Sequence, residues 1–383
     1  MKAKQIAIIL TGPMSTSESP LRVIIVTPFG SGGRGGMDRL SDAIIEGVRR
    51  TAGDSVQVRA LATYGQGSRA LMPLHFLKAL LELVRLRATA QADLLHINVA
   101  GGGSAYRKAL LALWARALGL PHVVHLHGSR FRETWPIAAP WRGALLDSMF
   151  ANSDRILVLG QVWADHVARS LPAVADRIVI LPNAAPARPP RPERDTAAPV
   201  HIVFMGLLGE RKGSLLLIEA LSRIDPALAW KATIAGNGDV AAHRQAAERL
   251  GVANRVRLPG WLGPAEVEAL LLDADVLTLP SFAENLPMVI IEAFAYGVPV
   301  VATPVGAVAE VVEDGVTGFL APVGDAGALA AAIQKLVESS DLRRKLGAAA
   351  RESHARRFEM TGYIERLIQI WRSARSGVAA AKE

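Results

Sequence analysis

The chain has 383 residues, half of them hydrophobic and 20% charged, with a formal net charge of +8 and no cysteine. This composition excludes wholesale disorder and can fill the cores of two domains; the missing thiols exclude disulfides, cysteine nucleophiles, Cys-ligated zinc and Cys-held iron–sulfur clusters. The charge is uneven: residues 1–185 carry 21 Lys/Arg against 12 Asp/Glu, and residues 186–383 carry 22 against 23. A basic half beside a neutral one fits an anionic partner (nucleic acid, a membrane surface or a phosphorylated substrate), or plain solubility.

In chain order, residues 1–20 read as an N-terminal extension. Its apolar stretch is too short for a signal peptide, and STSESP follows as a polar tether. No apolar run approaches the ~18 residues of a spanning helix, so a cytoplasmic protein is expected. Over 21–185, strand-like runs at 22–29, 55–62, 93–100, 122–128 and 155–160 alternate with helical patterns at 37–50, 74–88, 106–118 and 161–170. Residues 186–199 are dense in Pro and Arg and read as an extended interdomain linker. The alternation resumes over 200–355, with strands at 200–206, 231–236, 256–260, 275–281, 299–304 and 318–322 and helices at 213–223, 240–250, 264–273, 287–296 and 325–338. Residues 340–376 are helical again, and 356–383 form a C-terminal helix free to pack back on the first domain. The expected fold class is therefore α/β: two Rossmann-like, doubly wound parallel-sheet domains facing a central cleft.

Gly30, Gly32 and Gly35 match G-x-G-x-x-G between the first strand and its helix, the spacing of a dinucleotide loop. That fingerprint also needs a carboxylate ending the second strand, and the residues there are RALATYG. What remains is a backbone able to approach a sugar or phosphate, or a tight turn. His125 and His127 point to one face of a strand; zinc would need further ligands, and none clusters nearby. His127 lies at the strand's carboxyl end, whereas His125 reads as a core histidine. Asp273 and Asp275 resemble a metal-binding D-x-D pair, but they lie where aspartates commonly cap a helix–strand junction.

The sharper signal lies in the second half. FMGLLGERKG joins strand to helix through a cationic loop holding Arg211 and Lys212, which can offer charge and exposed amides to a diphosphate. About 70 residues on, Glu284 and Glu292 stand with seven residues between them, among them Asn285, Leu286 and Pro287. Pro287 suits a first helical turn, placing Glu284 before the helix and Glu292 within it. Two carboxylates can accept hydroxyl protons from sugar rings, while amides near the helix start face an anion.

Together with HLHG, ILPN and DGVTGFLAPVGD, these motifs resemble the retaining nucleotide-sugar glycosyltransferases of family four, the group 1 glycosyltransferases with the GT-B fold. HINVAGGGSAYRK (96–108) resembles members that build exopolysaccharide or lipopolysaccharide. The resemblance implies an acceptor-binding first domain, a donor-binding second domain, a UDP- or GDP-sugar donor and a glycan or lipid-linked acceptor. It implies catalytic roles for His127, Lys212 and Glu284, and donor contacts from Gly32, Gly33, Arg211, Lys212, Glu284, Asn285, Leu286, Pro287 and Glu292. Lys212 would hold the diphosphate, Glu284 the sugar hydroxyls and Glu292 the ribose, with neither metal nor other cofactor. A membrane-borne acceptor would give the basic half a role, with 74–90 as an amphipathic segment; nucleic acid is not an expected partner. One position departs from the family: Leu207 stands where an arginine usually follows the glycine, which leaves Arg211 as the second cation. A non-catalytic sugar-binding relative and an NAD-dependent oxidoreductase are the alternatives.

Overall fold

The computed structural model describes residues 19–30, 32, 36–65, 69–135, 140–192 and 198–377. Residues 1–18 of the expected extension over 1–20, and Gly33 and Gly35, lie outside these residues. The first sheet holds β1 (Leu21–Thr27), β2 (Val56–Ala62), β3 (Leu94–Val99), β4 (His122–Leu126), β5 (Arg155–Val158) and β6 (Ile178–Ile180). All its pairings are parallel, in the order β2-β1-β3-β4-β5-β6. Its helices are α1 (Gly36–Ala52), α2 (Met72–Ala88), α3 (Gly103–Ala117), the single turn α4 (Phe131–Thr134), α5 (Pro140–Ala151) and α6 (Gln161–Ser170). Central strands covered on both faces need continuous apolar runs, and every residue of β3 and β4 is buried. The edge strand β2 alternates instead.

The second sheet contains β7 (Val200–Met205), β8 (Trp230–Ala235), β9 (Val256–Gly260), β10 (Val276–Leu279), β11 (Val300–Ala302) and β12 (Gly318–Leu320), in the order β12-β11-β10-β7-β8-β9. With it come α7 (Ser214–Leu221), α8 (Val240–Arg249), α9 (Pro264–Asp273), α10 (Met288–Ala295), α11 (Ala326–Glu338), α12 (Ser340–Arg357) and α13 (Met360–Ser376). The strand order reverses between β7 and β10. Loops leaving the carboxyl ends of those two strands diverge around a crevice, the position where such sheets bind ligands.

Two expectations need correction. The helical stretch 340–376 is two helices, because Phe358 and Glu359 leave helical geometry and the Glu359 carboxylate caps α13 through the amides of Thr361 and Gly362. Pro287 precedes α10 in extended geometry, at φ −71° and ψ 128°, rather than lying in its first turn. Helix α13 returns to the first domain, where Ile364, Leu367 and Trp371 bury against Val23, Ile25, Leu40 and Ile44. At the crossing, the Ala185 amide donates to Phe358 O at 3.0 Å, so the two chain passages between domains run side by side. Linker residues beyond Pro186 are held to the second domain: Arg188 pairs with Glu268 at 3.1 Å, and Arg351 donates to the carbonyls of Arg188 and Pro189.

Candidate active site

Two glycines let the loops after β7 and β11 close on the loop after β10. Gly213, at φ +64°, lies so close to Pro280 that a Cβ would stand 2.0 Å from the Pro280 carbonyl oxygen. Gly306, at φ +60°, gives the same clearance to the backbone of Glu284 and Asn285. The first loop is tied from behind. His243 Nδ1 donates to Asp239 O, so its Nε2 accepts from Ser214 Oγ at 2.7 Å, and Ser214 Oγ in turn accepts the Gly209 amide at 2.9 Å.

The consequence is a compact charged cluster. Lys212 Nζ lies 2.5 Å from Glu284 Oε1, and Ser281 Oγ donates to the same oxygen at 2.7 Å. Arg211 sits 3.7 Å from that oxygen, with a further bond to Ala283 O at 3.1 Å. Glu284 is 7% exposed and Lys212 is nearly as buried, so that pair acts where water screens it weakly, whereas Arg211 is partly exposed. Leu207 points outward at 56% exposure, and the second cation at the cluster is Arg211.

Across the cleft, His127 follows β4 and donates from Nε2 to Asn98 Oδ1 at 3.0 Å. Burial, and then His96 nearby, lowers its pKa to about 3, so the ring is neutral at physiological pH. Asn285 does not face open space: its Nδ2 donates to Leu126 O at 3.0 Å, which docks the glutamate loop beside His127. Asn183 completes the dock by donating to Leu286 O at 2.7 Å. Glu292 stands apart, on a cavity of about 140 Å³ lined by Arg39, Arg188, Glu268, Met288 and Tyr296. Arg39 lies 3.6 Å from Glu292 Oε1, while Oε2 is buried without a hydrogen-bond partner among the described residues.

Gly30 and Gly32 take φ of +83° and +79°, as glycine in a turn can; the Gly30 amide donates to Thr27 Oγ1 and the Gly32 amide to Asp42. His125 is fully buried. Asp273 and Asp275 lie at the opposite end of the second sheet, where Asp273 meets His201 and Lys231 and Asp275 accepts the His201 amide. Sequence reasoning missed Ser281, Arg39, Asn98 and the Ser214–His243 tie. Their polar side chains have no spacing signature and acquire partners only through the fold.

Residues 19–184 match the family model described as a glycosyl transferase 4-like domain, and residues 192–353 match that of glycosyl transferases group 1. The putative colanic acid biosynthesis glycosyltransferase WcaL of Escherichia coli is 28% identical over 308 residues, covering 78% of this chain and 72% of that protein. A D-inositol 3-phosphate glycosyltransferase of Corynebacterium glutamicum is 32% identical over 195 residues, 48% of this chain and 46% of the relative's own length. Among solved structures, a sucrose-phosphate synthase from Thermosynechococcus elongatus superposes with a TM-score of 0.77 at 18% identity, over 93% of this chain and 99% of its own. HepE from Anabaena, solved with UDP and glucose, gives 0.73 at 20% identity, over 92% and 100%. At those identities the likeness speaks for the fold, two facing α/β domains of GT-B type.

Proposed function

The chain belongs to the group 1 glycosyltransferases, and we propose that it moves a sugar, with retention, from a nucleoside-diphosphate donor to a hydroxyl of a glycan or lipid-linked saccharide in surface-polysaccharide synthesis. The observation that carries this reading is the Lys212–Glu284–Arg211 cluster at the switch point of the second sheet, docked through Asn285 beside His127. The chemical barrier is departure of the diphosphate as positive charge builds at the anomeric carbon. Lys212 and Arg211 stabilise the negative charge that develops on the leaving group, and weak screening strengthens the Lys212 contact. An arriving diphosphate takes Lys212 from Glu284, and Glu284 turns to the sugar hydroxyls. The unpartnered oxygen of Glu292 suits a ribose hydroxyl. Retention follows from attack on the face that the diphosphate leaves, with the leaving phosphate taking the acceptor proton. The two cations fill the role that a metal ion plays in other transferases.

The first domain presents the acceptor. Leu74, Leu77 and Leu81 on α2, Leu110 and Trp114 on α3 and Trp141 on α5 are exposed. Trp114 Nε1 donates to Leu80 O, which places α2 against α3. Lys78 and Arg142 stand among these apolar side chains, and Glu82 is the one acidic residue of α2. An apolar, cationic face of this kind suits peripheral contact with an anionic membrane. Among the described residues no helix is long and apolar enough to cross one.

Titration with UDP, GDP, ADP and NAD, with Glu292→Ala as control, tests the reading. Selective binding of one nucleoside diphosphate, lost in the variant, supports it and names the donor class. Binding of NAD alone overturns it.

A further inference from the structure

A hydrogen-bond chain behind His127 can be directed from its fixed end. Met37 O is a backbone carbonyl and only accepts, so Ser41 Oγ spends its proton there at 2.9 Å. Ser41 Oγ therefore accepts from Asn98 Nδ2 at 3.2 Å, which turns Asn98 Oδ1 toward His127 Nε2 at 3.0 Å. An amide oxygen only accepts, so the proton of neutral His127 sits on Nε2 and the lone pair on Nδ1. No bond from Nδ1 to another described residue is present.

A second chain backs the first. Trp371 Nε1 only donates, and it reaches His96 Nδ1 at 3.0 Å across from α13. The His96 proton is thus on Nε2 and points to His125 Nδ1 at 3.3 Å. His125 in turn lies ring to ring with His127, centroids 4.1 Å apart. His96 and His125 are the titratable groups facing His127 from β3 and β4; burial keeps both neutral, with His96 lowered to about 4.

We infer that Asn98, oriented by Ser41, is a positioning residue that fixes the Nε2–H tautomer of His127, so that His127 meets the sugar as a hydrogen-bond acceptor at Nδ1 and not as an acid. The inference deepens the function proposed above and rests on its placement of His127 at the donor sugar. Nitrogen-15 NMR of the full chain, with His127→Gln to assign the resonances, reads the tautomer without any assay of activity. The Nε2–H form is expected, and an Nδ1–H form overturns the inference.

Kinetics supply the second readout. In Asn98→Asp a carboxylate faces Nε2, favours the imidazolium and raises the His127 pKa, which removes the acceptor as pH falls. A new acid limb in kcat/KM is expected, absent from the wild type above about pH 5. Ser41→Ala, a milder change, is expected to lower kcat several-fold with Tm close to the wild type. An Asn98→Asp protein with a raised His127 pKa and an unchanged pH profile overturns the inference. If the tautomer is as inferred but His127→Ala keeps full kcat/KM, the placement of His127 at the sugar fails instead.

Discussion

One oxygen of Glu284 is shared by Lys212 and Ser281, with Arg211 a little farther off, so the three partners are unequal. Lys212→Ala removes the closest cation from the leaving group and is expected to lower kcat by about 10²–10³, the range for deleting one donor to developing charge. Arg211→Ala keeps Lys212 and is expected to cost about tenfold, one charge-assisted contact at a partly exposed position. Adding Leu207→Arg to that variant is expected to recover activity; a double variant as weak as Arg211→Ala would show that the two positions are not interchangeable. Because the cations are the proposed source of charge, steady-state rates are expected to survive EDTA. Lys212, Glu284 and His127 were legible in the sequence because loop glycines and spaced carboxylates leave a pattern. Asn98 was not, since an asparagine in an apolar strand reads as one polar exception until Ser41 and His127 are brought to it by α1 and β4.

Strands were easier to read than helices. All eleven expected strands lie within two residues of an observed one, because two-sided burial demands runs of Val, Ile and Leu. The short β6 was missed beside the ILPN motif, and α5 was missed because Pro136 before it and Pro140 at its start make the sequence there look like a loop. Helix α13 and its return to the first domain could be read from the sequence, but its individual contacts could not, since Trp371 meets His96, 275 positions earlier, only in the fold. Trp371→Ala is expected to destabilise the first domain by roughly 3–5 kcal/mol, read by urea unfolding. Burial lowers the pKa of His96 on β3 from 6.5 to about 4, so the unfolded state binds its proton first as the solution is acidified. Stability is therefore expected to fall as pH drops through that window, by about 2 kcal/mol from this residue between pH 7 and 5. A stability that stays level over that range would contradict the buried, neutral His96.

At the scale of the molecule, the domains are joined by polar clasps around the cleft. Glu310 of the second domain accepts the amides of Gln161 and Val162 at the start of α6, at 2.6 and 2.9 Å, beside the Asn285 and Asn183 docks. Glu310→Ala is expected to increase the radius of gyration in small-angle scattering, and an unchanged profile would mean that the remaining clasps suffice. The exposed leucines of α2 make a separate claim. Leu77→Glu with Leu81→Glu is expected to abolish sedimentation with anionic vesicles while sparing turnover on a soluble acceptor, because neither residue is near the cluster; equal sedimentation of both proteins would reject the membrane face. The return of α13 also bears on biosynthesis. A ribosome delivers β1 some 350 residues before Trp371, and until that tryptophan emerges the first sheet has a bare apolar flank. The first domain is thus completed only after the second has been made, and the nascent chain must keep that flank from other proteins while the second domain is synthesised.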